Sequence, residues 1–294
     1  MIIFKTVVNL QQWLAKQRRL ERSIGFVATM GALHKGHLSL IDASNQVHDI
    51  TVASIFVNPS QFNDPKDFEK YPITIEADCR MLEEVQTDVL FFPNVKEIYP
   101  NTLPTPQNYN LGYLEDILEG SFRPGHFQGV CQVVERLLDI IKPDELFLGQ
   151  KDFQQCMVIK KLVETIPQAL LVENISVACN GKVKVTVVAT LREPDGLAMS
   201  SRNMRLTETD RTIASAIYQQ LLSIKENFAK IDIADLKKIA VENLLAAGFI
   251  KMDYVEIADA NTLLPIDYFA NQKAVCLIAA FIGEVRLIDN MLLN

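Results

Sequence analysis

The sequence predicts an α/β protein: a mainly parallel sheet covered by helices on both faces, followed by a smaller α+β module. Two observations carry this. In the first half, short β-branched runs alternate with segments of helical apolar spacing, the rhythm of a parallel sheet joined by crossover helices. After residue 190 that rhythm gives way to two helical stretches and then three strand-like runs. The length of 294 residues also exceeds what one core usually serves. Residues 1–190 are therefore expected to form one domain and 191–294 a second, smaller one.

In the first half, Ile24–Thr29 reads as a buried strand and Leu38–Val47 as a helix. Ile50–Val57 is an apolar run of strand length. Thr74–Gln86 has helical spacing, and Val89–Phe92 reads as a strand. Gly129–Ile141 reads as a helix stopped by Pro143, Glu145–Leu148 as a strand and Asp152–Glu164 as a helix. Asn174–Leu191 is expected to form a hairpin turned at Asn180-Gly181, a dipeptide that tolerates positive φ. The second half is expected to hold helices over Glu208–Phe228 and Ile233–Ala247. Its strands are expected at Tyr254–Ile257, Ala274–Ala280 and Val285–Ile288.

Composition narrows the function. The chain is 49% hydrophobic and 22% charged, as an ordinary globular protein is. A net charge of −7 argues against gripping a long nucleic acid and leaves room for a local anion pocket. The apolar stretch near Ala274–Ile282 is too short to cross a bilayer. No secretory signal is expected from Met1-Ile-Ile-Phe-Lys. Five cysteines, at 79, 131, 156, 179 and 276, form no CxxC pair. An odd number without that spacing fits a reducing cytosol better than disulfides or zinc.

Five stretches carry candidate chemistry. Thr29-Met-Gly-Ala-Leu-His-Lys-Gly-His37 lies between a strand and a helix. Gly31 and Gly36 let the backbone approach a ligand, and the helix start would aim N–H groups at an anion. His34 and His37, three residues apart, share one side once helical geometry begins. The glycine spacing is that of a P-loop, but His37 replaces the lysine and GK[ST] is absent. The other reading is a Gly-rich turn with one structural histidine. Phe56-Val-Asn-Pro-Ser-Gln-Phe62 ends a strand, where α/β sheets bind ligands. Asn58 and Gln61 suit hydroxyls rather than phosphate, although Asn-Pro alone also makes an ordinary turn.

Gly149-Gln-Lys-Asp-Phe-Gln-Gln155 again joins strand to helix. Lys151 is a compact cation for phosphate. Asp152 could cap the helix or face magnesium, and Gln155 would face the same crevice. The alternative is a capped helix with a solvated lysine. Asp195-Gly-Leu-Ala-Met-Ser-Ser-Arg-Asn203 places Ser200, Ser201 and Arg202 where they could wrap a triphosphate, or it is a polar surface loop. In Leu118–Gly129, His126 reads as a structural residue at a helix start rather than an acid or base.

Together these stretches resemble the pantothenate synthetase family. The likeness runs in order through TMGALHKGH, FVNPSQF, KYP, LEGSFRPGHFQGV, KPDELFLGQKDFQQ and DGLAMSSRN, most of the chain. His34-Lys-Gly-His37 also resembles the HxGH signature of the wider nucleotidyltransferase superfamily. Met199-Ser-Ser-Arg202 resembles that superfamily's mobile KMSKS-type loop.

The resemblance implies a Rossmann-like first domain for nucleotide and pantoate, a smaller C-terminal lid or substrate domain, and a cytoplasmic homodimer. It implies ATP-dependent joining of pantoate to β-alanine through a pantoyl-adenylate, with Mg²⁺. It implies that Met30, Gly31, Ala32, Leu33, His34, Lys35, Gly36 and His37 line the ATP site. Gly149, Gln150, Lys151 and Asp152 would form its second segment, and Leu191, Met199, Ser200, Ser201 and Arg202 its third. The residues expected to act on the phosphates are His34, His37, Lys151, Ser200, Ser201 and Arg202. Gln61 and Gln155, with Asn58, would hold pantoate; Gln61 would adjoin β-alanine; and Asp152 is the candidate metal ligand.

Two departures stand out. Gln150 occupies a position where the family usually has glutamate. An insertion of about a dozen residues lies between Glu164 and Lys184, of the kind that loops tolerate. Two rivals remain: an adenylyltransferase acting on a phosphate substrate, which would need more basic acceptor contacts than Gln61 and Gln155, and a non-catalytic nucleotide-binding protein.

Overall fold

The computed structural model describes residues 1–61, 71–100, 108–165 and 183–294. It divides into two compact units. One comprises Met1–Gly149 with Gln155–Val188; the other comprises Gln150–Gln154 with Ala189–Asn294.

The first unit is built on a six-stranded sheet. Its strands are β1 (Ile2–Phe4), β2 (Ile24–Thr29), β3 (Ile50–Ile55), β4 (Val89–Phe91), β5 (Glu145–Gly149) and β6 (Lys184–Val188). They lie in the order β1-β4-β3-β2-β5-β6, and every pairing is parallel. Its longer described helices are α1 (Val7–Arg19), α2 (Lys35–Asn45), α3 (Ile75–Glu84), α4 (His126–Ile141) and α5 (Phe153–Thr165). On one face Leu33, Leu40, Ile41 and Leu82 pack with Val27, Ala53, Leu90 and Phe147 of the strands. The expected parallel α/β architecture is therefore present.

From β2 the sheet grows through β3 and β4 in one direction and through β5 in the other. Such a reversal opens a crevice at the carboxyl ends of the two central strands, where α/β sheets bind ligands. Those ends are Thr29 and Gly149.

Two differences from the sequence expectation concern this unit. Residues 1–23, for which no element was expected, form β1 and α1. Only Leu10 and Leu14 of α1 are buried, and Arg18 anchors the helix by donating to the carbonyls of Ile141 and Lys142. Of the expected hairpin over Asn174–Leu191, the first arm and the Asn180-Gly181 turn lie outside the described residues. Its second arm is β6, paired in parallel with β5 from Glu145↔Lys184 to Gly149↔Val188.

The second unit has a three-stranded antiparallel sheet: β7 (Lys251–Asp259), β8 (Ala274–Ile282) and β9 (Val285–Leu292). Against it lie α6 (Glu208–Ala214), α7 (Ala216–Asn227) and α8 (Ile233–Ala247). Alternate β8 residues Ala274, Cys276, Ile278, Ala280 and Ile282 enter one apolar cluster with Ile217, Leu221, Ile224 and Leu244, as a strand's period of two requires. The helix expected over Glu208–Phe228 is broken at Ser215 into α6 and α7.

Gln150–Gln154, which follow β5 in sequence, pack with this second unit. Among the described residues no helix is long and apolar enough to cross a membrane. Cys79, Cys131, Cys156 and Cys276 are free thiols; Cys179 lies outside the described residues.

Candidate active site

In the first unit the chain leaves β2 through a tight turn with left-handed backbone at Gly31 (φ 82°) and Ala32 (φ 50°). It enters α2 with His34 as the N-cap. The helix thus begins three residues before the expected Leu38, and His37 falls in its first turn, donating its N–H to the His34 carbonyl (2.8 Å). The two imidazoles stack with ring centroids 4.0 Å apart at 33°. Both rings are half-buried, whereas Lys35 is exposed. A helix start is where an anion is favoured, and both imidazoles sit there.

Beside this turn stands Gln61, the last residue of a 3₁₀ turn over Pro59–Gln61. Its Nε2 is 2.7 Å from Met30 Sδ, so the turn after β2 and the turn after β3 meet. Asn58 is fully buried and its side-chain partners are internal. Its Nδ2 donates to Gly129 O (3.1 Å) and to Gln61 Oε1 (3.4 Å). Its Oδ1 accepts from Tyr99 (3.1 Å) and Ser60 (3.1 Å). A residue read from sequence as facing a hydroxy acid is instead engaged beneath Gln61.

Helix α4 approaches the same turn closely. A Cβ at Gly129 would fall 2.4 Å from Ser60 O and 2.8 Å from Gln61 Cα, so only glycine fits without moving the turn. His126, at the start of α4, lies 2.9 Å through Nδ1 from Gln61 O and 2.9 Å through Nε2 from Arg123 Nη1. Since a guanidinium only donates, Nε2 accepts and the Nδ1–H donates to Gln61. His126 is thus structural. Gln155 is half-buried in the first turn of α5.

In the second unit, the 3₁₀ turn Gln150–Asp152 presents Lys151 and Asp152. Leu191 and Met199 are joined by a backbone bond (Met199 N to Leu191 O, 3.0 Å), which closes the base of a loop. Ser200 caps the next 3₁₀ turn, Ser201–Arg205, accepting from Arg202 N at 3.2 Å. Lys151, Ser200, Arg202, Arg286 and Asp289 line one cavity. The second unit thereby gathers three of the six residues expected to act on phosphates; His34 and His37 are gathered in the first, and Ser201 follows Ser200 in the loop. Burial pushes the Asp289 carboxyl up, and hydrogen bonds from Arg192 oppose that shift.

A family model described as pantoate-beta-alanine ligase matches residues 2–292. The chain belongs to this family. The pantothenate synthetase of Azobacteroides pseudotrichonymphae is 43% identical over 293 residues, covering 99% of each chain. That of Cytophaga hutchinsonii is 42% identical over 297 residues, covering 100% of this chain and 99% of its own. The crystal structure of pantothenate synthetase from Thermus thermophilus superposes with a TM-score of 0.88 at 36% identity, covering 100% of this chain and 99% of that one. A pantoate-beta-alanine ligase from Francisella tularensis, crystallised with β-γ ATP and β-alanine, gives 0.79 at 37% identity, covering 100% and 98%.

Within this ligase the structure adds residues that sequence reasoning missed. Asp78 of α3 is 1% exposed. Its carboxylate accepts from Ala32 N (3.0 Å), Leu33 N (2.8 Å) and Thr74 Oγ1 (3.0 Å), clamping the turn that delivers His34. Nothing local marked it, because the two turn residues it holds are more than 40 positions away. Gln150 donates to Asn290 Oδ1 at 3.3 Å. A glutamate there would set a carboxylate oxygen against that acceptor, so in this ligase the amide at 150 suits its neighbour.

Among the described residues no group of three or more His, Cys, Asp or Glu side chains could hold a metal ion. Asp152 is a single carboxylate. That donor set fits magnesium carried on substrate phosphates, which needs only one or two protein carboxylates.

Proposed function

We propose that the chain joins pantoate to β-alanine in two steps through a pantoyl-adenylate, using ATP. The observation that carries this reading is the stacked His34–His37 pair at the start of α2, next to the neutral Met30–Gln61 contact. The first suits phosphate and the second a hydroxy acid.

In the first step a pantoate carboxylate oxygen bonds to the α-phosphorus of ATP and the bond to pyrophosphate breaks. His34 and His37 donate hydrogen bonds to phosphate oxygens as charge moves onto the leaving group. Lys151, Ser200, Ser201 and Arg202 neutralise that group. Met30 through His37, Gly149 through Asp152, Leu191 and Met199 complete the nucleotide-binding set. Gln61 and Gln155 orient pantoate, and Asn58 holds Gln61 in place. Asp152 would be the protein ligand of the magnesium brought with ATP, which would supply further charge neutralisation.

In the second step the uncharged amine of β-alanine attacks the acyl carbon, AMP departs with the bonding pair, and the amine loses a proton. No protein nucleophile is required. Residues 1–190 supply the nucleotide and pantoate contacts, and 191–294 the loop that meets the phosphates. Assembly as a cytoplasmic homodimer belongs to the same reading and rests on family membership; a solution mass of one chain would refute the dimer.

The rival, adenylyl transfer to a phosphate acceptor, is disfavoured because, among the described residues, the side chains bonded to the Gln61 amide, Met30 and Asn58, are neutral. The test is AMP release with each substrate omitted in turn. AMP is expected only when ATP, magnesium, pantoate and β-alanine are all present. Equal release without β-alanine would overturn the amine-directed second step.

A further inference from the structure

The second unit contains a buried polar chain that the reaction above does not use. Arg192 opens the loop that leads to Met199–Arg202. Its guanidinium grips Asp289 with both ends: Nη1 is 2.6 Å from Oδ2 and Nη2 is 3.1 Å from Oδ1. Nη1 also donates to Gly196 O (3.0 Å) and Nη2 to Asn290 O (3.2 Å). The guanidinium carbon lies 4.5 Å from the centre of the Tyr218 ring. Gly196, at φ +90°, permits this packing; a Cβ there would fall 1.9 Å from Tyr218 Cδ1. Asn290 then reaches the other loop. Its Nδ2 donates to Gln150 O (3.0 Å) and Lys151 O (2.8 Å), while its N–H donates to Asp289 Oδ1 (2.7 Å).

A buried ion pair is weak evidence for stability, because desolvation offsets much of its attraction. What this one does is geometric. Every further hydrogen bond from the Arg192 fork and from the Asn290 amide ends on a backbone carbonyl. Those carbonyls belong to the loop before Ser200, to β9 and to the turn that bears Lys151. Backbone fixed in this way sets where the side chains start, and small misplacements of charged groups are costly in rate.

We infer that Arg192, Asp289 and Asn290 are positioning residues that hold the Lys151 turn and the Leu191–Arg202 loop in one register on β9. Lys151, Ser200 and Arg202 then meet a phosphate chain as a preformed set. This rests on the reading of Lys151 as a phosphate-facing cation.

The test is single-turnover formation of pantoyl-adenylate in wild type, Asn290→Ala, Lys151→Ala and the double variant, each with a melting curve. Lys151→Ala alone is expected to slow the step at least about tenfold with little change in melting temperature. Asn290→Ala is expected to slow it about tenfold, with the KM for pantoate within about twofold of wild type. In the Lys151→Ala background the same change is expected to cost less than about twofold, because its target is already gone. An equal loss in both backgrounds, or no loss in either, overturns the inference. If Asn290→Ala does not fold, Asp289→Asn, which keeps the side chain's shape but weakens its hold on Arg192, is compared in wild type and in an Arg202→Ala background with the same criteria. Wild type that forms no adenylate refutes the reaction itself, and that result is visible before any variant is made.

Discussion

Replacing His34 or His37 with alanine is expected to slow pantoyl-adenylate formation by about 10²–10³ in each case, or about 2.7–4 kcal/mol of transition-state stabilisation. The rings stack 4.0 Å apart where β2 hands over to α2, so each can present an N–H to the same group of phosphate oxygens. Charge on those oxygens grows as pyrophosphate departs. A donor that binds the departing group more strongly than the starting one lowers kcat rather than apparent affinity. The KM for pantoate should therefore change little. Because the two rings share one task, the double variant is expected to fall short of the product of the single effects. Single-turnover formation of labelled adenylate, with β-alanine left out, isolates the step. Variants that make adenylate at the wild-type rate and fail only on adding β-alanine would move the histidines to the amine step and sink the phosphate assignment.

How much of this was legible in the sequence depended on how local the cause was. Ile24–Thr29 is a strand with the expected ends because an apolar run is set off sharply from the polar residues before it and the glycine turn after it. α2 starts three residues before its apolar period because its first turn, Lys35-Gly36-His37, is polar. The apolar period begins only at Leu38, while the capping residue is His34. β7 extends to Lys251–Asp259 beyond the apolar Tyr254–Ile257, because its pairing with β8 continues at both ends, past a register shift at Asp253 whose carboxylate accepts from Arg286 at 2.7 Å.

At the site, glycines and histidines clustered within nine residues were readable. The sequence marks Asn58 as a group suited to hydroxyls but not its burial, because its partners Gly129 and Tyr99 come from segments 71 and 41 positions away. The same reason hid the Arg192–Asp289–Asn290 chain, in which Asp289 and Asn290 lie 97 and 98 positions from Arg192.

Asp78→Ala is expected to be the most destabilising single change at the site, costing about 2–4 kcal/mol and lowering the melting temperature by roughly 5–10 °C. Ala32 and Leu33 are buried, at 2% and 7% exposure, and their N–H groups donate to the Asp78 carboxylate. Removing it leaves two buried donors without an acceptor, each costing on the order of 1–3 kcal/mol. The turn is also strained: Ala32 has φ 50°, a conformation that costs a non-glycine residue about 1–2 kcal/mol and persists only where its surroundings enforce it. Without the carboxylate the turn can relax, and His34 and His37 at its end lose their placement. Adenylate formation should therefore drop by at least about tenfold even where the variant remains folded. Asp78→Asn keeps one acceptor oxygen but turns an amide N–H toward the second donor, so its loss of stability should be intermediate. A melting curve and a single-turnover rate on the same samples check both parts. An Asp78→Ala variant that melts with wild type would show that the turn holds its shape without the clamp. One that melts early yet forms adenylate at the full rate would separate the clamp from the placement of the histidines.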